Sequence, residues 1–400
     1  MKKLTVIGDI MVEPPFMEQV MRDGTCNFVP SFAPLKGILE ESDYVIGNLE
    51  TPLAGEEAGY TDRIVSFNSP DCLLDALKEI GICAVSTVNN HCLDRGYAGL
   101  VRTCETLDRY GIAHTGTYPK DFKGDRIHYF TLGDTRFALI AYTYGTNPHI
   151  NGVMLEEGQE NCVNLIRPQD AKSFIPPLPQ TYRDTMALME ELLGRKLIWE
   201  EGIKLKLSMQ IPVAIVDDLV DEAEQDLWLK KVEADYTEAR KNADIVLFYP
   251  HSGGQFNERS GLYTRRIVEK SAEMGFDAVF AAHSHTTQLG EYLNGKPCFY
   301  SLGNVSMSPG TFYSVSESLP EYGLAVHLYI DEKKIAKVTV SIFKMVEENG
   351  EALRVVPVDL LYRSLSDEKK EKLMADLSSV YKRVIGREHT WAEPQKEYEL

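Results

Sequence analysis

No apolar run in this 400-residue chain approaches the roughly 18–20 residues that span a bilayer, so no membrane segment is expected. Basic residues are also short: 42 Lys and Arg stand against 60 Asp and Glu, for a formal net charge of −18. That balance argues against a general nucleic-acid binder, because phosphate contact needs basic surface. It leaves room for an anionic substrate, since a bound dication inverts the local field. The seven cysteines (Cys26, Cys72, Cys83, Cys92, Cys104, Cys162 and Cys298) never form a CxxC pair. A zinc ribbon or a disulfide framework is thereby disfavoured, and reduced thiols in a cytoplasmic protein are expected. The amino terminus, Met1 to Ile7, imitates a signal peptide, but Asp9 and Glu13 interrupt it and no small-residue cleavage site follows. A buried first strand is the better reading. There are no internal repeats.

What the chain does have is apolar material, 44% of its residues, enough for a large core. Short apolar runs at Leu4–Gly8, Tyr44–Gly47, Cys83–Val88 and Ile112–His114 read as strands. Asp71–Ile80 and Ala98–Tyr110 carry the three- and four-residue spacing of helices between them. Ile127–Leu132 and Phe137–Tyr142 form a hairpin pattern turned at Gly133-Asp134. The alternation resumes with Ile245–Tyr249, a helix over Leu262–Met274 and a strand over Ala278–Ala282, followed by consecutive short β runs. Strands alternating with helices, then strands in succession, predict an α/β protein with a four-layer α/β/β/α sandwich. The organisation expected is a first half of the core at 1–146, a largely helical insertion or cap at 147–242, a second half at 243–345, and a C-terminal extension at 346–400. Within that extension, Ser366 or Asp367 is placed to cap a helix, and the polar run Glu388–Leu400 is expected to be poorly ordered.

Several strands end on polar residues where a bland turn would suffice. Gly8-Asp9 follows the first strand, Gly47-Asn48-Leu49-Glu50 the second, and Asn89-Asn90-His91 the third, with Asp94 close behind. His251 follows Ile245–Tyr249, and His283-Ser284-His285 follows the last core strand. In open α/β sheets, ligands bind beyond the carboxyl ends of strands, so these groups are positioned to converge. His283 and His285, at i and i+2, point the same way if the chain stays extended. Asp9, Glu50, Asn90, His251, His283 and His285 offer oxygen and imidazole donors that suit Mn²⁺, Fe²⁺ or Zn²⁺. Without thiolate among them, a closed structural zinc site is not expected. A carboxylate such as Glu50, set between two ions, is able to bridge them, and two-metal sites polarise an electrophile and activate water.

These segments resemble the bacterial capsule-synthesis (poly-γ-glutamate, CapA-type) family of the calcineurin-like metallophosphoesterase superfamily. The likeness rests on Gly8-Asp9-Ile10-Met11, Gly47-Asn48-Leu49-Glu50, Asn89-Asn90-His91-Cys92-Leu93-Asp94-Arg95-Gly96, His251-Ser252-Gly253-Gly254-Gln255, Ala281-Ala282-His283-Ser284-His285-Thr286-Thr287-Gln288 and Tyr300-Ser301-Leu302-Gly303-Asn304. It covers residues 1–145 and 243–345. The resemblance implies a dinuclear centre, with Asp9, Glu50 and His285 on one ion and Glu50, Asn90, His251 and His283 on the other. It implies further that His91 protonates the leaving group, that Asp94 orients its imidazole, and that Asn48 and Asn304 assist as second-layer or substrate donors.

The chain departs from the pattern at Met11, where ordinary phosphoesterases carry a ligand histidine, so the Asp9/Glu50/His285 site is expected to be the weaker one. Ser252 and Gln255 replace the family's Trp and Glu, and Ser284 replaces the Pro between the two histidines. The resemblance therefore implies a hydrolase of a phosphoester or a γ-glutamyl amide, acting on an anionic small molecule or oligomer, with homo-oligomerisation left open. The competing class is a non-catalytic accessory or binding protein for polyanionic capsule synthesis. A binding module built on the insertion would instead expose aromatics there, with Tyr182, Trp199 and Trp228 as candidates.

Overall fold

The strand runs of this chain are apolar on both faces, and the reason is that they lie in the middle of a layered stack. In a computed structural model, Leu4 and Val6 of the first strand join one core cluster while Ile7 joins another. Ile245, Leu247 and Tyr249 likewise face the first cluster, and the alternating Val246 and Phe248 face a third. The structure describes residues 1–22, 24–63, 65–170, 177–311, 314–348 and 352–400. Its strands, in chain order, are β1 (Lys2–Ile10), β2 (Tyr44–Leu49), β3 (Ile82–Ser86), β4 (Ala113–Thr115), β5 (His128–Leu132), β6 (Thr135–Thr143), β7 (Ile245–His251), β8 (Ala278–Phe280), β9 (Gly290–Leu293), β10 (Lys296–Phe299), β11 (Asn304–Ser306), β12 (Tyr322–Asp331), β13 (Lys334–Glu348), β14 (Ala352–Pro357) and β15 (Tyr398–Glu399).

One sheet runs β14-β13-β12-β1-β2-β3-β4, with β11 beside the end of β1 and β15 on β13; the other runs β5-β6-β7-β8-β10-β9. The cluster holding Leu4, Val6, Leu139 and Leu247 fills the space between the sheets. Helices Pro14–Met21 and Leu73–Glu79 cover the outer face of the first sheet through Phe16, Leu74 and Leu77. Helices Glu222–Asn242 and Leu262–Met274 cover the second through Leu229, Val232, Ile267 and Val268. The result is the expected α/β/β/α layering. Beneath the site, the Tyr249 hydroxyl donates to the Ile7 carbonyl at 2.6 Å, so a polar tip inside the core ties the two sheets together.

Four expectations need correction. Cys26 and Cys72 are joined by a disulfide, because the short helix Val29–Phe32 and helix Leu73–Glu79 pack side by side and bring their Cα atoms to 6.1 Å. The cysteine pattern therefore no longer argues for a reducing compartment. Second, the segment 147–242 is not wholly an insertion. Its last helix, Glu222–Asn242, is the crossover that parallel neighbours β6 and β7 require, and it buries Leu229, Val232 and Ala239. Third, the boundary at 345/346 falls inside β13, and β14 and β15 belong to the same sheet. Fourth, the polar tail is ordered by pairing: Tyr398 and Glu399 add to β13, and Glu397 accepts from Lys3 Nζ at 2.7 Å and from the Tyr329 hydroxyl at 2.7 Å.

Of the aromatics considered for a binding face, Tyr182 is buried and Trp199 is exposed. Among the described residues, no helix is long and apolar enough to cross a membrane.

Candidate metal centre

Strands β1, β2 and β3 are mutually parallel in one sheet, and β6, β7 and β8 in the other. Their carboxyl ends open on one edge of the sandwich, and Asp9, Asn48, Glu50, Asn90, His91, Asp94, His251, His283, His285 and Asn304 all meet there, all buried. Asp9 does not cap the first helix; it accepts from Asn48 Nδ2 at 2.7 Å and from the His283 backbone N–H at 3.1 Å. His251 Nε2 sits 2.7 Å from Asn90 Oδ1, 3.2 Å from His283 Nδ1 and 3.4 Å from Glu50 Oε1. His285 holds Asn304 Oδ1 at 2.9 Å through Nδ1, which leaves Nε2 facing Glu50 Oε1 at 3.8 Å.

Candidate ligand atoms of Glu50, His283 and His285 lie within 4.8 Å of one another, and so do those of Asp9, Glu50 and His251. Glu50 is the member common to both groups. Asp9 and Glu50 both approach His285, at 3.6 and 3.8 Å, and both approach His251, at 4.0 and 3.4 Å.

The histidine pair converges by a different route from an extended strand. Strand β8 stops at Phe280, and His283 and His285 both take positive φ, 105° and 55°. Such conformations are costly for a side chain larger than glycine and persist only where surrounding contacts impose them. Here those contacts are Asp9 on the His283 N–H and Asn304 on both the carbonyl and the ring of His285. Asn304 thus acts as the brace of that turn. Asn48 braces Asp9 in the same way and also lies 3.2 Å from His251 Nδ1.

The chemistry of this donor set fits divalent metal. Burial pushes the imidazoles of His251 (to about 4), His283 and His285 below the usual range, which keeps them neutral with a lone pair to offer. Burial and the nearby Glu50 push Asp9 up to about 8, and burial pushes Glu50 up as well. Both Glu50 oxygens and Asn90 Nδ2 are buried with no partner at hydrogen-bond geometry among the described residues, the nearest acidic neighbour of Glu50 being Asp9. An orphaned carboxylate in a protein interior is expensive unless a cation compensates it. Met11, two residues past Asp9, packs instead with Phe67 and Phe256 and brings no donor.

His91 is different. Its Nδ1 meets Asp94 Oδ2 at 2.7 Å, its ring packs at 4.5 Å against Phe67, and the same Asp94 oxygen accepts the Phe67 N–H at 2.7 Å. Burial presses its imidazolium down, but Asp94, Glu50 and Asp9 outweigh that and hold it above the ordinary value. It is the one histidine of the cluster whose charged form its neighbours favour over the ordinary value. The sequence reading missed Tyr144, whose hydroxyl lies 3.0 Å from His283 Nε2 and whose N–H donates to the His251 carbonyl. Its only trace in the sequence is its place just past an apolar strand.

The chain matches the model of the family described as "Bacterial capsule synthesis protein PGA_cap" over residues 3–308. It is 22% identical over 326 residues to "Capsule biosynthesis protein CapA" of Bacillus anthracis, covering 80% of this chain and 63% of that protein. It is 21% identical over 320 residues to "PGA biosynthesis protein CapA" of Bacillus subtilis (strain 168), covering 80% of this chain and 66% of that protein. The chain therefore spans a little under two thirds of the length of these curated relatives. A crystal structure of a hypothetical protein from Thermus thermophilus aligns at a TM-score of 0.40 and 14% identity, over 86% of this chain and 99% of that one. With the motif-bearing strand ends all inside the matched residues, the chain belongs to the PGA_cap family of bacterial capsule synthesis proteins.

Proposed function

We propose that this chain is a metal-dependent hydrolase that uses a dinuclear site against a phosphoester or a γ-glutamyl amide. The observation that carries the reading is the Glu50 carboxylate, buried with no partner at hydrogen-bond geometry among the described residues and set among imidazoles that burial keeps neutral. Asp9, Glu50, Asn90, His251, His283 and His285 would hold two divalent ions, of which Mn²⁺, Fe²⁺ and Zn²⁺ suit the donors. Bound there, the ions supply Lewis acidity that polarises the electrophile and renders water nucleophilic at neutral pH.

The remaining work falls to the chain itself. Asp94 engages His91 Nδ1, so Nε2 is the nitrogen left to hand a proton to the departing oxygen or nitrogen. Phe67 fixes the plane of that ring. Asn48 and Asn304 keep Asp9 and His285 in register, and the Tyr144 hydroxyl, kept protonated by burial, orients His283. A second reading, a non-catalytic accessory of capsule assembly, is favoured by the names of the curated relatives.

Metal analysis of the purified protein, followed by assay of the Mn²⁺-reconstituted form on aryl phosphomonoesters, phosphodiesters and γ-glutamyl oligomers, separates the two. The hydrolase reading expects metal that is lost in His283→Ala, and turnover that falls by at least about 10²-fold in His91→Ala with metal retained. Metal without turnover on any of these substrates favours the accessory role. A protein that holds no divalent metal sinks the central claim.

A further inference from the structure

A cavity of about 740 Å³ opens on the site, with His91 and His283 in its lining. Its other wall comes from the segment that leaves β6 and from the residues just before helix Glu222–Asn242. That wall sets Ile150, Met154 and Val216 among polar neighbours that include Asn147, His149 and Gln169. Ile150 and Met154 stand 43% and 47% exposed on it, beside Val216. Apolar side chains that line a cavity beside a reactive centre are placed to cover the apolar part of a ligand. Arg167 is also in the lining, with Asp170 near it in the chain and likewise in the lining.

We propose that this cavity is the substrate pocket and that it selects a small phosphoester whose alcohol part is apolar, alkyl or aryl, laid against Ile150, Met154 and Val216 with its phosphate toward His91 and His283. This rests on the metal-dependent hydrolase reading and narrows it. A γ-glutamyl oligomer carries a carboxylate on every residue, whereas Arg167 is the one lysine or arginine among the described residues of the lining, which also holds Asp170. An apolar group of the size this cavity admits gains burial at every carbon instead. The phosphate end would lie at the floor, against the imidazoles of His91 and His283 and beside the residues that would hold the ions.

The test is titration calorimetry of the full chain with methyl-, propyl- and hexylphosphonate, each with and without Mn²⁺. Affinity is expected to tighten roughly fourfold for each methylene the wall covers, so propylphosphonate binds about 16-fold tighter than methylphosphonate. The Ile150→Ser/Met154→Ser variant should flatten that dependence, and Ile150→Leu/Met154→Leu should restore it. Affinity that does not grow with chain length in the Mn²⁺-loaded protein overturns the proposal, as does a dependence that the serine variant leaves intact. Withholding Mn²⁺ reports on the other claim: headgroup affinity indifferent to the ion overturns the hydrolase reading while the wall retains its chain-length signature.

Discussion

Asp94→Asn tests the proton-transfer assignment at a single atom. Asp94 Oδ2 accepts two hydrogen bonds at 2.7 Å, one from the Phe67 N–H and one with His91 Nδ1, in a buried setting. Asparagine keeps an oxygen for both contacts and the same volume, so the loop should stay in place. What it removes is the negative charge facing the imidazole. A hydrogen bond to a charged group contributes about 1.5–3 kcal/mol and a neutral one about 0.5–1.5 kcal/mol, so the imidazolium loses on the order of 1–1.5 kcal/mol. That lowers the protonated fraction of His91 about five- to tenfold at a pH above its midpoint. The loss should appear as a matching fall in kcat/KM on an alkyl phosphoester, whose leaving oxygen needs a proton. On p-nitrophenyl phosphate, which releases a stabilised anion, the fall should be much smaller. Metal content should not change. Equal losses on both substrates, or a loss of metal, would refute the role of Asp94 as the group that holds His91 protonated.

Two further predictions concern the frame around the site. A Cβ added at Gly8 would meet the Gly303 carbonyl oxygen at 2.0 Å, the same atom that accepts the Asp9 N–H at 3.0 Å. Gly8→Ala should therefore cost about 1–3 kcal/mol in urea unfolding and weaken Mn²⁺ binding by moving Asp9; unchanged Mn²⁺ affinity would show that Asp9 is not held by this close approach. Outside the candidate metal centre, His327 is buried between the Thr5 and Ser341 hydroxyls, and burial, reinforced by Lys3, lowers its imidazolium to about 3. Below the unfolded value near 6.5 the unfolded chain takes up a proton that the folded one refuses, so stability is complete above that pH and falls as pH drops toward 3. Between pH 7 and pH 5 the wild type should lose about 2 kcal/mol more than His327→Asn, read from urea midpoints; equal losses would remove His327 from the acid response.

The layering was legible in the sequence because its signal is local. Apolar runs such as Leu4–Ile7 and Ile245–Tyr249, broken by helical spacing at Leu262–Met274, carry their own periodicity whatever lies across from them. The polar strand ends were legible for the same reason, as residues out of place after apolar strands. The missed features all depend on partners distant in the chain. Cys26 and Cys72 are 46 residues apart and carry no pairing motif, so only helix packing joins them. The Glu388–Leu400 tail reads as disordered until β13 offers Thr339 and Val340 as an edge.

By itself, then, the sequence determined which residues stand at strand ends and what donors they carry. Only the tertiary structure decided that the edges of two separate sheets face each other, so that Glu50 from one lies among His251, His283 and His285 from the other. It also decided how His283 and His285 converge, through positive φ held by Asp9 and Asn304 rather than through an extended strand. The physical reason is the same in both cases. Backbone periodicity is written along the chain, whereas the convergence of charge, and the burial that leaves a carboxylate without a partner, exist only once distant segments close around it.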